Sequence, residues 1–493
     1  MDMSNVLQRG RARLGDHREK VRLRLTQPSS WKLPKQESSI APPDVWTNAD
    51  QDPVPLEKLT WTQWTFVTYW FSDLVTVSGW EAASSIVTTG LSATDAVVIT
   101  LVAGICNAIP TVLNGCIGAD LHIPFPIVAR ASYGYWLSYF CVISRGILAM
   151  FWFGVQSAGG GDCVTAIITA IWPSYQNVPN HLPEFVGVTS QGGYSTLAVN
   201  IPDFSRFSKS KRDPWWQLPI IPFFKVIVGI LGIVGASASQ QIYGTTLWNP
   251  LDIVNQWHGT PGGRAAAFFC GAIWLLAQIS VNISANAVSF ANDITTLVPK
   301  WFNVRRGTVF VAFIGGWALC PWIIMASATS FLSFMSAYAI FMAPIAGILA
   351  TDYWLVKRRK YDVPALYDPR GIYRFGWGGN WRALVTTLIV IVPLLPALAH
   401  KVTPKNVQVS QGLQNLFSFN WLYGFVTSIC IYYVLNLLFP HRPTLIQRVV
   451  PGYRYTIDGM EADTESQNSM NETKREETKK DGTSASLAKE VIG

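Results

Sequence analysis

The chain has 493 residues, a formal net charge of +8, 49% hydrophobic residues and only 14% charged residues. Soluble domains carry about 25% charged residues, so this composition excludes an ordinary soluble enzyme. It points instead to an all-α polytopic membrane protein, with the lipid bilayer as a partner and no nucleic acid.

Residues 1–57 form a basic tail, with seven Arg/Lys in the first 24 positions. That charge places the tail in the cytoplasm, where it is also able to touch anionic lipid. It has no apolar h-region, so it does not read as a cleaved signal peptide. The core follows at 58–440. Apolar runs of about the 20 residues needed to cross a bilayer fall at 61–89, 94–115, 137–158, 219–243, 265–297, 308–330, 334–356, 384–400 and 420–440, with a stub at 193–207.

The first run is interrupted by Asp73, Ser78, Gly79 and Glu81. Polar groups at membrane depth are costly and mark functional sites. A broken helix frees carbonyls that coordinate a cation or substrate; two helices meeting at an interfacial kink would read the same way. In the third run Trp152 and Gln156 stand four apart, one helical turn on one face. A flat indole beside an amide suits a small planar heterocycle, which stacks on the ring and exchanges hydrogen bonds with the amide. Interhelical packing would use the same pair. Gly159, Gly160 and Gly161 lie within this apolar helix, so they read as a close-packing surface and not as a phosphate loop.

Residues 146–205 contain no Lys or Arg, yet Arg206, Lys209, Lys211 and Arg212 follow at once. Loops without basic residues are translocated and short basic loops stay inside. The stretch after Trp172 therefore reads as outside and Arg206 as inside, with only the stub between them. A membrane crossing is missing.

Further on, Asn282, Asn286, Ser289 and Asp293 repeat at four, three and four, a polar stripe on one helix face that should look into the bundle. Asp293 is the candidate for carrying a coupling proton, with Glu81, Asp73 and Lys225 as further candidates. Residues 441–493 close the chain as a disordered cytoplasmic tail, with nine acids against five bases after Tyr455. Asn471 begins a glycosylation acceptor, which is accidental if the tail is cytoplasmic. The seven Cys and six His show no metal-ligand spacing and no Walker A loop is present, so neither a resident metal nor direct ATP coupling is expected, and no catalytic constellation marks an enzyme.

Several strings resemble the nucleobase–cation symporter family 1, in particular its fungal uracil, allantoin and uridine permeases. They are Tyr69-Trp-Phe-Ser-Asp-Leu-Val-Thr, Phe125-Pro-Ile-Val-Ala-Arg-Ala-Ser-Tyr-Gly, Arg145-Gly-Ile-Leu-Ala-Met-Phe-Trp-Phe-Gly-Val-Gln, Leu197-Ala-Val-Asn-Ile-Pro-Asp-Phe-Ser-Arg and Asn282-Ile-Ser-Ala-Asn. The resemblance implies twelve helices, the first ten a five-plus-five inverted repeat with broken first and sixth helices, in a multi-pass protein of the plasma membrane. It implies import of a small heterocycle with H+ or Na+ as the only cofactor. Trp152 would stack on the ring, Gln156 and Asn286 would bond its edge, and Asp293 would serve gating or coupling. Asp73, Ser78, Asn282 and Ser289, read from their positions inside the spans, are further candidates for cation coupling or gating.

The sequence departs from this family in one place. Members carry about seventy more residues before the string that starts at Tyr194, supplying the fourth helix, the fifth and half of the sixth. Here Gly187-Val-Thr-Ser-Gln runs straight into Gly192-Gly-Tyr. The gap, between 189 and 194, coincides with the charge contradiction, and it leaves helix faces for a second copy or a full-length paralogue to cover. A non-transporting sensor or regulatory partner of a full-length permease is the alternative from another class.

Overall fold

The computed structural model describes residues 27–452 apart from 36–37, 39, 178–194, 318–327 and 403–405. Most of both tails, and the 189–194 junction, lie outside the described residues. Among the described residues the chain is helical, with only two single bridges, Trp61 to Ser208 and Asp362 to Val450.

The first apolar run splits into α1 (Gln63–Leu74) and α2 (Val77–Thr88), each 12 residues and so about 18 Å long. Between them Thr76 is extended (φ −135°, ψ 164°), and its hydroxyl accepts from Gly79 N at 3.1 Å to cap α2. Next come α3 (Ala93–Leu121), the short α4 (Phe125–Tyr133) and α5 (Ser138–Ile171). After the undescribed stretch, α6 (Ser195–Asn200) and α7 (Pro202–Ser205) lead to α8 (Gln217–Tyr243), α9 (Pro250–Asn255) and α10 (Pro261–Val281). A π turn over Asn282–Ala287 joins α10 to α11 (Val288–Leu297), and α12 (Val304–Ile314) follows. Then come α13 (Ala328–Thr351), a second π turn over Asp352–Val356, α14 (Trp381–Ile391), α15 (Leu395–Val402), α16 (Gln411–Ser418) and α17 (Asn420–Leu438).

Seven helical stretches among the described residues are long and apolar enough to cross a membrane, where the apolar runs predict nine. Two runs account for the difference. The first is the broken pair α1–α2, too short singly because Thr76 ends one helix to cap the next. The run at 308–330 begins as α12 and continues into undescribed residues.

One end of the bundle gathers Arg206, Lys211, Arg306 and Arg359. Arg206 Nη1 donates to Asp50 O at 3.0 Å and Arg359 Nη2 reaches Asp120 at 2.7 Å. The positive-inside rule makes this the end expected in the cytoplasm. Part of the segment expected to be solvated tail packs here: Asn48, Gln51 and Val54 are buried. Gln51 Nε2 donates to Asn292 O at 3.4 Å and its Oε1 accepts from Thr296 at 2.9 Å. Satisfying backbone groups at the foot of α11 is what draws these side chains in.

α6 and α7 have six and four residues, together about 16 Å of helix, half of a 30 Å hydrocarbon core. The stub expected at 193–207 is thus helical from Ser195 and ends at the basic side. α5 ends at Ile171 with an exposed Trp172.

α3 and α2 pack on α8, where a Cβ on Gly232 would meet the Trp80 carbonyl oxygen at 2.5 Å. The close packing expected of the Gly159–161 triplet is not found at its end: Gly160 would meet only Leu275, at 3.8 Å, and Gly161 faces open space. The tight contact between α5 and α10 runs through Gly271, whose Cβ would stand 2.9 Å from Ile167 Cγ1.

Candidate functional site

The helix break, the middle of α5 and the π turn meet in the interior. Trp152 is buried on α5, its indole edge-on to Phe151 (5.5 Å, 74°) and to Tyr338 of α13 (6.2 Å, 82°). One turn on, Gln156 Nε2 donates to Ser78 Oγ at 3.0 Å, and Ser78 is itself 3.0 Å from Thr76 Oγ1 at the break. Gln156 Oε1 accepts from Gln278 Nε2 of α10 at 2.8 Å. Both ends of this amide are therefore engaged, one by each side of the bundle.

The stripe on α10–α11 continues the chain of bonds. Asn282 Nδ2 donates to Phe153 O at 3.1 Å and Ser157 Oγ at 3.0 Å, and Asn286 Nδ2 donates to Asn282 Oδ1 at 3.1 Å. The π turn over these residues opens the helix by one residue per turn, a distortion frequent at functional sites. All four stripe residues are buried, as the spacing predicts.

Toward the basic end of the bundle, Ser289 Oγ accepts from Asn200 Nδ2 of α6 at 2.8 Å. Asp293 is ion-paired with Arg145 of α5, and Arg145 also donates to Ser289 O. Neither side chain of the pair is more than 2% exposed. Asn200 also donates to Asp203 Oδ2 at 3.3 Å, and Asp203 Oδ1 caps α4 by accepting from Phe125 N at 2.9 Å. Asp293 thus sits in a charged lock between α5, α7 and α11, about 10 Å along the helix from Asn286. Asp73 is fully buried in α1, one turn before the break.

The structure therefore joins Gln156 to Ser78, Asn286 to Asn282, and Ser289 and Asp293 to one charged cluster. It adds Gln278, Arg145, Asn200 and Asp203, which the candidate set lacks. Gln278 lies four residues before Asn282, so the stripe was readable one turn further. Arg145 is an arginine inside an apolar run, a signal in its own right. Asn200 and Asp203 carry no periodic signal in so short a segment. Chemically, an indole wall beside a ladder of amides that now bond one another is able to exchange those bonds for the edge of a planar molecule.

Comparison with known proteins gives three results. The sequence pattern described as permease for cytosine/purines, uracil, thiamine, allantoin matches residues 53–190 and 185–424. An uncharacterised permease of Schizosaccharomyces pombe is 31% identical over 482 residues, covering 82% of this chain and 86% of that protein. The allantoin permease and uracil permease of Saccharomyces cerevisiae are 28% and 27% identical, each alignment covering 80% of this chain and 76% of the relative. Among solved structures, the inward-facing conformation of Mhp1 superposes with a TM-score of 0.61 at 18% identity, covering 84% of this chain and 99% of that one. A closed conformation of Mhp1, a nucleobase-cation-symport-1 family transporter with bromovinylhydantoin bound, gives 0.61 at 19%.

Proposed function

The chain belongs to the family of permeases for cytosine/purines, uracil, thiamine and allantoin, and from that membership we propose that its site takes a uracil- or allantoin-like heterocycle. Trp152 stacks on the ring, and Gln156 and Asn286 bond its edge. The carrying observation is the amide ladder from Ser78 through Gln156 to Gln278, which links the helix break to α10 beside the Trp152 indole. The named substrates of the allantoin and uracil permeases, and the hydantoin held by Mhp1, are flat rings with amide edges. The coupling ion is H+ or Na+, with H+ preferred for the carboxylate at Asp293, and the membrane is the plasma membrane.

The 493-residue chain, on this reading, lacks the family's fourth and fifth helices and half of the sixth, and transports little. The positive-inside contradiction supports this, as does the half-length helix α6–α7. The alignment lengths support it too: 82% of 493 residues is about 404, set against 482 aligned positions, so roughly 78 positions of the relative have no counterpart here. The two matched stretches meet at 185–190. Ser157, Gly161 and Thr165 also form an exposed stripe on α5 of the small and polar kind that contacts another helix in membranes. A second copy or a full-length paralogue would be able to cover it.

The test is uptake of labelled uracil and allantoin in a host without its own carriers. The short chain is compared with a longer form read from transcripts spanning the codons for 184–196. Uptake by the longer form alone supports the reading. Robust uptake by the 493-residue chain refutes the missing crossings, and absence of any longer transcript favours a sensor or regulatory partner.

A further inference from the structure

At the cytoplasmic end, between the second π turn and the end of α17, lies a cleft of about 350 Å³, in the size range of small-ligand sites. It is lined by Arg358, Lys360 and His441 together with Tyr433, Asn436 and Leu437, and no Asp or Glu lines it. Lys357 also borders it, but its ammonium is committed inward, to both Asp352 oxygens at 2.7 and 2.6 Å and to Ala131 O at 2.8 Å. Arg358 and Lys360 have no ion pair among the described residues.

The backbone is held in an unfavourable form to make this arrangement. Arg358 and Arg359 are both left-handed (φ 49° and 63°), at a cost of about 1–2 kcal/mol per residue. The two turns send Arg359 to Asp120, 2.7 Å away, and leave Arg358 on the cleft side. His441 lies tilted at 41° against Phe375, with 4.6 Å between ring centroids. Its proton affinity is lowered first by burial and then by the charges of Arg382 and Lys357, a sign of the positive potential there. The rim is apolar: Leu355, Leu437, Leu438 and Phe439 are all exposed. A basic pocket at the cytoplasmic face, open to the apolar surface of the helices, is complementary to an anionic headgroup with its chains still in the bilayer.

We propose that this cleft binds an anionic phospholipid of the cytoplasmic leaflet, with its phosphate between Arg358 and Lys360 and its acyl chains along Leu355 and Leu437. The lipid would brace the end of α13 against α17.

The test uses the full chain in nanodiscs of equal phosphatidylserine and phosphatidylcholine, with retained lipid counted by native mass spectrometry after detergent stripping. The wild-type chain retains phosphatidylserine over phosphatidylcholine, and R358Q/K360Q lowers that preference by about fivefold per charge removed. R370Q, an exposed arginine paired with Asp44 on the same side, leaves it unchanged. Equal retention of the two lipids by wild type, or a preference untouched in R358Q/K360Q, overturns the proposal. So does an equal loss in R370Q, which would make the effect general surface charge. A preference that appears only when residues 456–493 are removed also overturns it, by assigning the cleft to the acidic tail.

Discussion

Replacing Asp293 by Asn keeps the side chain's size and removes only its charge. Arg145 then remains buried, with Ser289 O as an acceptor but without the carboxylate it is ion-paired with. Removing one partner of a buried pair costs about 3–5 kcal/mol. Domains of 150–250 residues shift about 2–4 °C per kcal/mol, and larger ones less, so a fall of about 5–10 °C in apparent Tm follows. R145L costs less than D293N, because a stripped carboxylate escapes by protonation and a guanidinium does not. The double variant R145L/D293N regains at least half of the D293N loss, since an apolar replacement of a buried pair is often neutral. Fluorescence-detected size-exclusion chromatography after a heating series measures all three. A D293N melting point equal to wild type, or a double variant as unstable as the two losses added, would refute the lock between α5 and α11.

Three other outcomes follow from the packing and the site. Gly232→Ala forces a Cβ against the Trp80 carbonyl and lowers stability by about 1–3 kcal/mol, whereas Gly161→Ala enters open space and stays within about 0.5 kcal/mol; equal melting shifts would contradict the packing. His122, just past α3, has its proton affinity pushed below the ordinary 6.5, chiefly by burial. The unfolded chain therefore binds more protons below pH 6.5, and stability falls as pH drops through that value. Asn tolerates the left-handed φ of 57° at this position, so H122N flattens the pH dependence of Tm between 7.5 and 5.5, and an unchanged slope removes His122 as the cause. Gln278→Ala frees Gln156 Oε1, and in the transport-competent form it raises KM by about tenfold, the worth of one buried hydrogen bond; an unchanged KM would show that Gln278 does not set the amide's orientation.

The sequence made the membrane class and most span positions legible, because 20-residue apolar runs are a strong signal that context rarely overrides. Asp73, Ser78 and Gly79 pointed to a broken first helix, and the structure breaks it at Thr76. The 4-3-4 stripe was found on a buried face, but its π winding was invisible. Nothing in Asn282-Ile-Ser-Ala-Asn requires five-residue turns until α5 offers Phe153 O and Ser157 as partners. The engagement of both ends of Gln156 was equally hidden, since Ser78 and Gln278 lie far from it in sequence. Within this chain Gly160 and Gly161 bring no close approach, because a small residue gives one only where a neighbour comes, and α10 comes instead at Gly271.

Whether substrate sits against Trp152 is decided by the concentration dependence of uracil and allantoin uptake by the longer form, comparing wild type with W152A, Q156A and N286A at matched surface amounts. Each substitution is expected to raise KM at least about tenfold or abolish uptake, as losing a stacking face or a buried bond requires. Unchanged KM in all three would place the substrate elsewhere and contradict the site built around Trp152.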